Sequence, residues 1–113
     1  MHEVGIMESV LAIAERQAMV HGTRFIRSLR MRVGVLRGVA PEALDHAFVV
    51  LRTGTPAGEA RLEVDYAPAR FWCAVCGKEF ETTSQFGDCP VCGTVSHDIR
   101  GGMELELVSM EVD

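Results

Sequence analysis

The sequence predicts an α+β protein: a small two-layer α/β domain of three main strands and two helices, with a cysteine-rich ribbon inserted before the last strand. Three observations predict it. Two stretches repeat their apolar residues at helical spacing, three alternate them at strand spacing, and all four cysteines fall in one short loop-rich segment near the C-terminus. The chain has 113 residues, 48% of them hydrophobic. That suits a compact fold with one modest core and a small appendage. No apolar run approaches the roughly 20 residues needed to span a bilayer. No secretory signal is readable, because Glu3, Glu8, Glu15 and Arg16 interrupt the first apolar stretch. A soluble, cytoplasmic protein without a membrane partner is expected.

From residue 4 to about residue 21, Met7, Val10, Leu11, Ala14 and Ala18 form one stripe, with Glu8, Glu15 and Arg16 off it. This is an amphipathic helix, and Gly22 stands where a C-terminal cap needs positive φ. From Arg24 to Leu36 the period changes to two. Leu29, Met31, Val33 and Val35 share one face and Arg30 and Arg32 the other. Arg27 falls in the apolar phase, so either the strand begins after it or its guanidinium escapes past the sheet edge. The Arg24, Arg30 and Arg32 group reads as a solvated strand face or as a docking patch.

Pro41 suits a first helical turn, and Leu44, Ala47, Phe48 and Leu51 define a second helix over roughly 41–53, ended by Thr53-Gly54-Thr55-Pro56. His46 lies beside that stripe and reads as a surface or packing residue. Ala60, Leu62, Val64 and Tyr66 then alternate with Arg61, Glu63 and Asp65, giving a second strand with an acidic outer face that Pro68 stops. In the last segment Met103, Leu105 and Leu107 share one phase and Val108, Met110 and Val112 the other. That slip predicts a β-bulge at Leu107-Val108. The expected division is residues 1–69 with 100–113 as the α/β domain and 70–99 as the inserted ribbon.

The cysteines stand as Cys73-Ala-Val-Cys76-Gly77 and Cys89-Pro-Val-Cys92-Gly93. Two Cys-x-x-Cys pairs at this spacing put four sulfurs within reach of one tetrahedral ion, the arrangement Zn²⁺ takes in structural sites. Glycine after each pair permits the positive φ that turns backbone N–H groups toward the thiolates. A redox Cys-x-x-Cys usually stands alone at a helix N-terminus, and a disulfide framework does not suit a reducing compartment. Four sulfurs leave no open position for catalysis, so the metal is read as a staple for a segment poor in apolar side chains. His97 is an alternative ligand or a solvated loop histidine, and the completed shell favours the latter.

Net charge is −5, divided unevenly. Residues 1–52 hold seven arginines against five acids, and residues 53–113 four basic residues against eleven acids. The ribbon itself has Arg70 and Lys78 against Glu79, Glu81, Asp88 and Asp98, which is poor for holding phosphates. A zinc-ribbon nucleic-acid-binding or transcription adapter is therefore the alternative reading, and no nucleic-acid partner is expected. No nucleophile and base pair stands at a recognisable spacing, so an enzyme is not expected.

Met1-His2-Glu3 adds a second kind of chemistry. The α-amine, the His2 amide nitrogen and the His2 imidazole follow one another as a chelating set suited to square-planar Cu(II) or Ni(II). Together with Val33-Gly34-Val35-Leu36-Arg37-Gly38-Val39-Ala40-Pro41-Glu42-Ala43-Leu44 and the two cysteine pairs, it makes the whole chain resemble the HypA/HybF family of nickel metallochaperones. The resemblance implies a nickel-binding α/β domain and a zinc ribbon. It implies His2 as a nickel ligand with Glu3 completing or orienting the site, and Cys73, Cys76, Cys89 and Cys92 as zinc ligands. Ni²⁺ would be transferred cargo and Zn²⁺ a structural cofactor. The implied partners are a HypB-type nickel GTPase and the large subunit of nickel-iron hydrogenase, with urease a further client in some organisms. Gly5 departs from the Ser that many members carry there, which loosens the first helical turn without removing a ligand. Only His97 flanks the cysteine pairs, whereas members that couple the zinc site to pH have histidine flanking both.

Overall fold

The computed structural model describes residues 3–113. In chain order the elements are α1 (Glu3–Val20), β1 (Ile26–Gly34), a 3₁₀ turn (Val35–Arg37), α2 (Pro41–Leu51), β2 (Arg61–Ala67), β3 (Ala69–Cys73), β4 (Lys78–Thr82), β5 (Ile99–Gly101) and β6 (Leu105–Val112). Two three-stranded sheets result, ordered β2-β1-β6 and β4-β3-β5. The first is assembled from the three strands that the period-two segments predict, with the most deeply buried of them in the centre. The chain divides into two compact units. One takes the chain up to Arg32, Val39–Asp65 and Glu106–Asp113; the other takes Val33–Gly38 and Tyr66–Leu105.

In the first unit the predicted stripe of α1 is buried as a set: Met7, Val10, Leu11, Ala14 and Ala18, joined by Ile6. Gly22 adopts φ 69° and closes the helix. The Thr23 N–H donates to the Ala18 carbonyl at 3.0 Å, satisfying one of the orphan acceptors of the last turn. Pro41 stands at the start of α2 after an extended Ala40, and Leu44, Ala47 and Phe48 are its buried residues. Leu51, in the same predicted stripe, is only half-buried because the helix ends there.

The phase of β1 resolves the position of Arg27. Ser28 and Leu29 are both buried in succession, so the alternation slips between them, and Arg27 is exposed and paired with Asp113 at 3.5 Å. Its neighbour Ser28 donates its hydroxyl to Glu111 at 3.0 Å, which satisfies a polar side chain taken from water. The strand β6 slips as well, one residue later than the sequence predicts. Leu105, Leu107, Met110 and Val112 are half-buried, with Val108 and Ser109 exposed side by side. The polar Ser109 takes one of the two outward places, so the apolar phase resumes at Met110.

The arginines of the outer face find carboxylates on the flanking strands. Arg30 reaches Glu63 at 2.5 Å and Asp65 at 3.9 Å, and Arg32 reaches Glu106 at 3.2 Å. Cross-strand pairs of opposite charge favour this order of strands. Arg30 and Arg32 are therefore paired within the sheet.

The second unit has a smaller core: Ala69, Phe71, Cys73, Phe80 and Cys89, with Val35, Leu36 and Cys76 packed against it. Phe71 and Phe80 face one another across β3 and β4 with ring centroids 5.6 Å apart. Residues 33–38 belong to this unit through backbone bonds. The Gly34 N–H donates to the Glu104 carbonyl at 2.7 Å and the Leu36 N–H to the Gly102 carbonyl at 2.8 Å. The close approach at Gly34 leaves no space for a side chain, since a Cβ there would collide with the Gly102 carbonyl.

Two outcomes follow from this packing. Gly34→Ala should lower unfolding free energy by about 2–4 kcal/mol in denaturant titration, the range of a backbone displacement in a packed region. The Arg30 guanidinium beside Glu63 holds the Glu63 carboxyl below its ordinary value. A folded pKa below the unfolded one stabilises above the ordinary carboxylate pKa of about 4.3, and the contribution is lost as pH falls through the folded value. The melting temperature of the wild type should thus exceed that of Glu63→Gln by a small margin near pH 7, and the margin should close on acidification.

Candidate metal centre

The four cysteines come together from two knuckles. The first closes the β3–β4 hairpin, where Cys73 is the last residue of β3 and pairs with Lys78. The second lies in a loop held by a single bridge between Asp88 and Val95, rather than by a second long hairpin. Each knuckle is a one-turn coil. The Gly77 N–H donates to the Cys73 carbonyl and the Gly93 N–H to the Cys89 carbonyl, both at 2.8 Å. Both glycines sit at positive φ, 68° and 76°, where a side chain would be strained. Their N–H groups therefore close the turn on carbonyl oxygens. It is an amide inside the loop that faces sulfur, the Cys76 N–H lying 3.4 Å from Cys73 Sγ.

All four Sγ atoms lie within 4.8 Å of one another. The pairs across the knuckles are closer, Cys73 to Cys92 at 3.6 Å and Cys76 to Cys89 at 3.9 Å. A tetrahedral ion with Zn–S bonds of about 2.3 Å requires S···S separations of about 3.8 Å, so the donor set fits such an ion with little movement. Cys73 and Cys89 are buried, Cys76 is half-buried and Cys92 is exposed. The sulfurs differ as acids. Hydrogen bonding to Cys92 and loss of water push the Cys76 thiol up to about 12. Donation from the Thr94 hydroxyl and backbone N–H holds Cys92 down to about 6. A divalent cation at the centre supplies the positive charge that lets all four ionise.

The contribution of Thr94 is not readable from the cysteine spacing. Its Oγ1 lies 3.2 Å from Cys92 Sγ, and its carbonyl accepts the Cys89 N–H at 3.0 Å, so one residue contacts the Cys92 sulfur and pins the backbone of Cys89. The signal available was only a hydroxyl two residues past the last cysteine. Such support from outside the ligand set orients metal ligands. His97 lines a small cleft with Trp72, Cys73 and Thr94 but is not among the clustered donors. His2 lies outside the described residues. Glu3 is the first residue of α1, an acidic residue in the first turn where the helix dipole favours it.

A family model described as hydrogenase/urease nickel incorporation, metallochaperone, HypA matches residues 1–112. The chain belongs to the HypA family. Relatives named hydrogenase maturation factor HypA include one from Picosynechococcus, 41% identical over 112 residues, and one from Rhizobium leguminosarum, 39% identical over 112 residues. Each alignment covers 99% of both chains. The fold is similar to the solution structure of the nickel metallochaperone HypA from Helicobacter pylori, with a TM-score of 0.67 at 22% identity, covering 99% of this chain and 97% of that one. Membership of the HypA family favours the metallochaperone reading over a nucleic-acid adapter. No helix among the described residues is long and apolar enough to cross a membrane.

Cobalt(II) offers a direct check of the donor set. Wild-type protein should take up one Co²⁺ with the intense visible bands of a tetrahedral thiolate complex. Cys89→Ser should lose that spectrum or bind far more weakly.

Proposed function

We propose that this protein is a non-enzymatic nickel carrier that binds Ni²⁺ at Met1-His2-Glu3 and passes it to an apo-hydrogenase, or to urease, during metallocentre maturation. The observation that carries this reading is the family match over residues 1–112, which includes both the N-terminal segment and the ribbon. In this reading Cys73, Cys76, Cys89 and Cys92 hold a structural Zn²⁺. The α/β portion, 1–69 with 100–113, carries nickel, and 70–99 forms the zinc ribbon.

The two sites divide the chemistry by lability. A chaperone must release its cargo, and a shell of four thiolates closed by two knuckles is a poor place to release from. A chelate of the α-amine, the His2 amide and imidazole, and Glu3 would have no such thiolate cage, and nitrogen donors in a plane suit d⁸ Ni(II). Transfer then proceeds by ligand exchange within a protein complex. A nickel-binding GTPase of the HypB type and the hydrogenase large subunit are the partners this role needs. A reducing compartment such as the cytoplasm is where four free thiols persist.

The role of zinc follows from the composition of the second unit. Phe71 and Phe80 are its only buried aromatic side chains among the described residues, while Val75, Phe86, Val91, Val95 and Ile99 are exposed. A fully buried side chain of this size contributes roughly 1.5–3 kcal/mol, and a structural zinc on the order of 10 kcal/mol. The ion outweighs the apolar core.

Metal stoichiometry of the untagged protein tests the proposal. Wild type should hold one tight Zn²⁺ and one weaker Ni²⁺ per chain. His2→Ala should keep the zinc and lose nickel affinity at least tenfold. Unchanged nickel affinity in that variant, with zinc retained, contradicts the N-terminal site.

A further inference from the structure

The four sulfurs are alike as donors but differ in access and in neighbours. Cys92 is the one exposed cysteine, and Cys73, its 3.6 Å neighbour, is buried. That neighbour belongs to the other knuckle, as does the 3.9 Å neighbour of Cys76, which is Cys89. Short contacts therefore join one knuckle to the other. A zinc-bound cysteine is held as thiolate, and oxidation of thiolates follows exposure. An oxidant from solvent meets Cys92 first, and the sulfur best placed to answer is Cys73.

We propose that the four-cysteine centre is also a hydroperoxide-responsive switch in which Cys92 is the sulfur attacked and Cys73 the sulfur that resolves it. This inference rests on the reading of the site as a zinc centre. The Cys92 thiolate attacks one oxygen of hydrogen peroxide and the O–O bond breaks. The departing hydroxide takes a proton to become water, and Cys92 is left as a sulfenic acid. The Cys73 thiolate then attacks the Cys92 sulfur, the S–S bond forms, the S–O bond breaks, and hydroxide leaves and is protonated. Two thiolates, one peroxide and two protons give one disulfide and two waters. Two of the four sulfurs that would hold zinc are thereby withdrawn, and the ion would be released. Cys76 and Cys89 remain as a second pair for a further equivalent of oxidant.

Release has a structural consequence in this chain. Cys73 and Cys89 are themselves core residues of the second unit, packed with Phe71 and Phe80. A disulfide between Cys73 and Cys92 keeps the two knuckles joined while the tetrahedral centre is lost. A thiol reductant reverses the change.

The sequence makes the test direct. Trypsin cuts after Arg70, Lys78 and Arg100, so Cys73 and Cys76 fall in peptide 71–78 and Cys89 and Cys92 in peptide 79–100. Untagged wild-type protein, its zinc content measured beforehand, is given one equivalent of hydrogen peroxide. Zinc is followed with a chromogenic chelator, and samples alkylated at short times are mapped by mass spectrometry without reduction. The expected result is release of about one zinc per peroxide, with the two peptides covalently joined through Cys73 and Cys92. Dimedone present during oxidation should label Cys92 ahead of the other cysteines. Disulfides confined within each peptide, first labelling of another cysteine, or retained zinc would overturn the proposal. Starting zinc well below one per chain would instead contradict the zinc reading, and the peptide linkage would still decide the order of attack. The wild-type chain is used throughout, so no misfolded variant can imitate the result.

Discussion

The convergence of four sulfurs within 4.8 Å is the constraint on which the second unit depends. Thiolates this close repel one another, so the arrangement is favourable only around a cation or with protons retained. The uneven titration of Cys76 and Cys92 expresses that conflict. The surrounding chain is built to tolerate it. Two glycines at positive φ coil the knuckles, Thr94 contacts the Cys92 sulfur and the Cys89 backbone of the second, and β3 delivers Cys73 from a paired strand. With so few apolar side chains buried around it, this centre is the structural core of its unit rather than an ornament on one.

The first unit is stabilised differently. Its helices bury aliphatic stripes, and its sheet carries arginine and carboxylate pairs on the outer face. Such exposed pairs contribute little each and mainly favour one strand order over others. The charge asymmetry of the sequence is thereby accounted for in part: arginines of β1, from the basic half of the chain, meet acids of β2 and β6 from the acidic half. An internally paired face has little to offer a phosphate backbone, which agrees with a role in handling metal ions rather than nucleic acid.

Much of this was legible in the sequence. Helical and strand periods located both helices and the three strands of the first sheet because each buries one face, and burial imposes its period on residue type. The cysteine spacing located the metal centre because a tetrahedral site must be complete to function. The inclusion of residues 33–38 in the second unit was not legible. It depends on backbone bonds from Gly34 and Leu36 to Glu104 and Gly102, and backbone bonds leave no pattern in side chains beyond the glycines themselves. The sequence pattern places the bulge in β6 one residue early because Val108, apolar by type, faces outward. Thr94 leaves no signal in the sequence because support of a ligand needs only a hydroxyl, which many loop positions carry. The nickel ligands proposed at Met1-His2-Glu3 are readable only in the company of the rest of the chain, since three residues carry no period and no spacing of their own.

The central claim is that two metals occupy two chemically distinct sites, sulfur for the structural ion and N-terminal nitrogen for the cargo. X-ray absorption at the zinc and nickel edges of untagged protein loaded with one equivalent of each tests it most directly. The account predicts zinc with an all-sulfur shell at about 2.3 Å and nickel with nitrogen and oxygen neighbours only. Sulfur in the nickel shell, or nitrogen and oxygen around zinc, would contradict it.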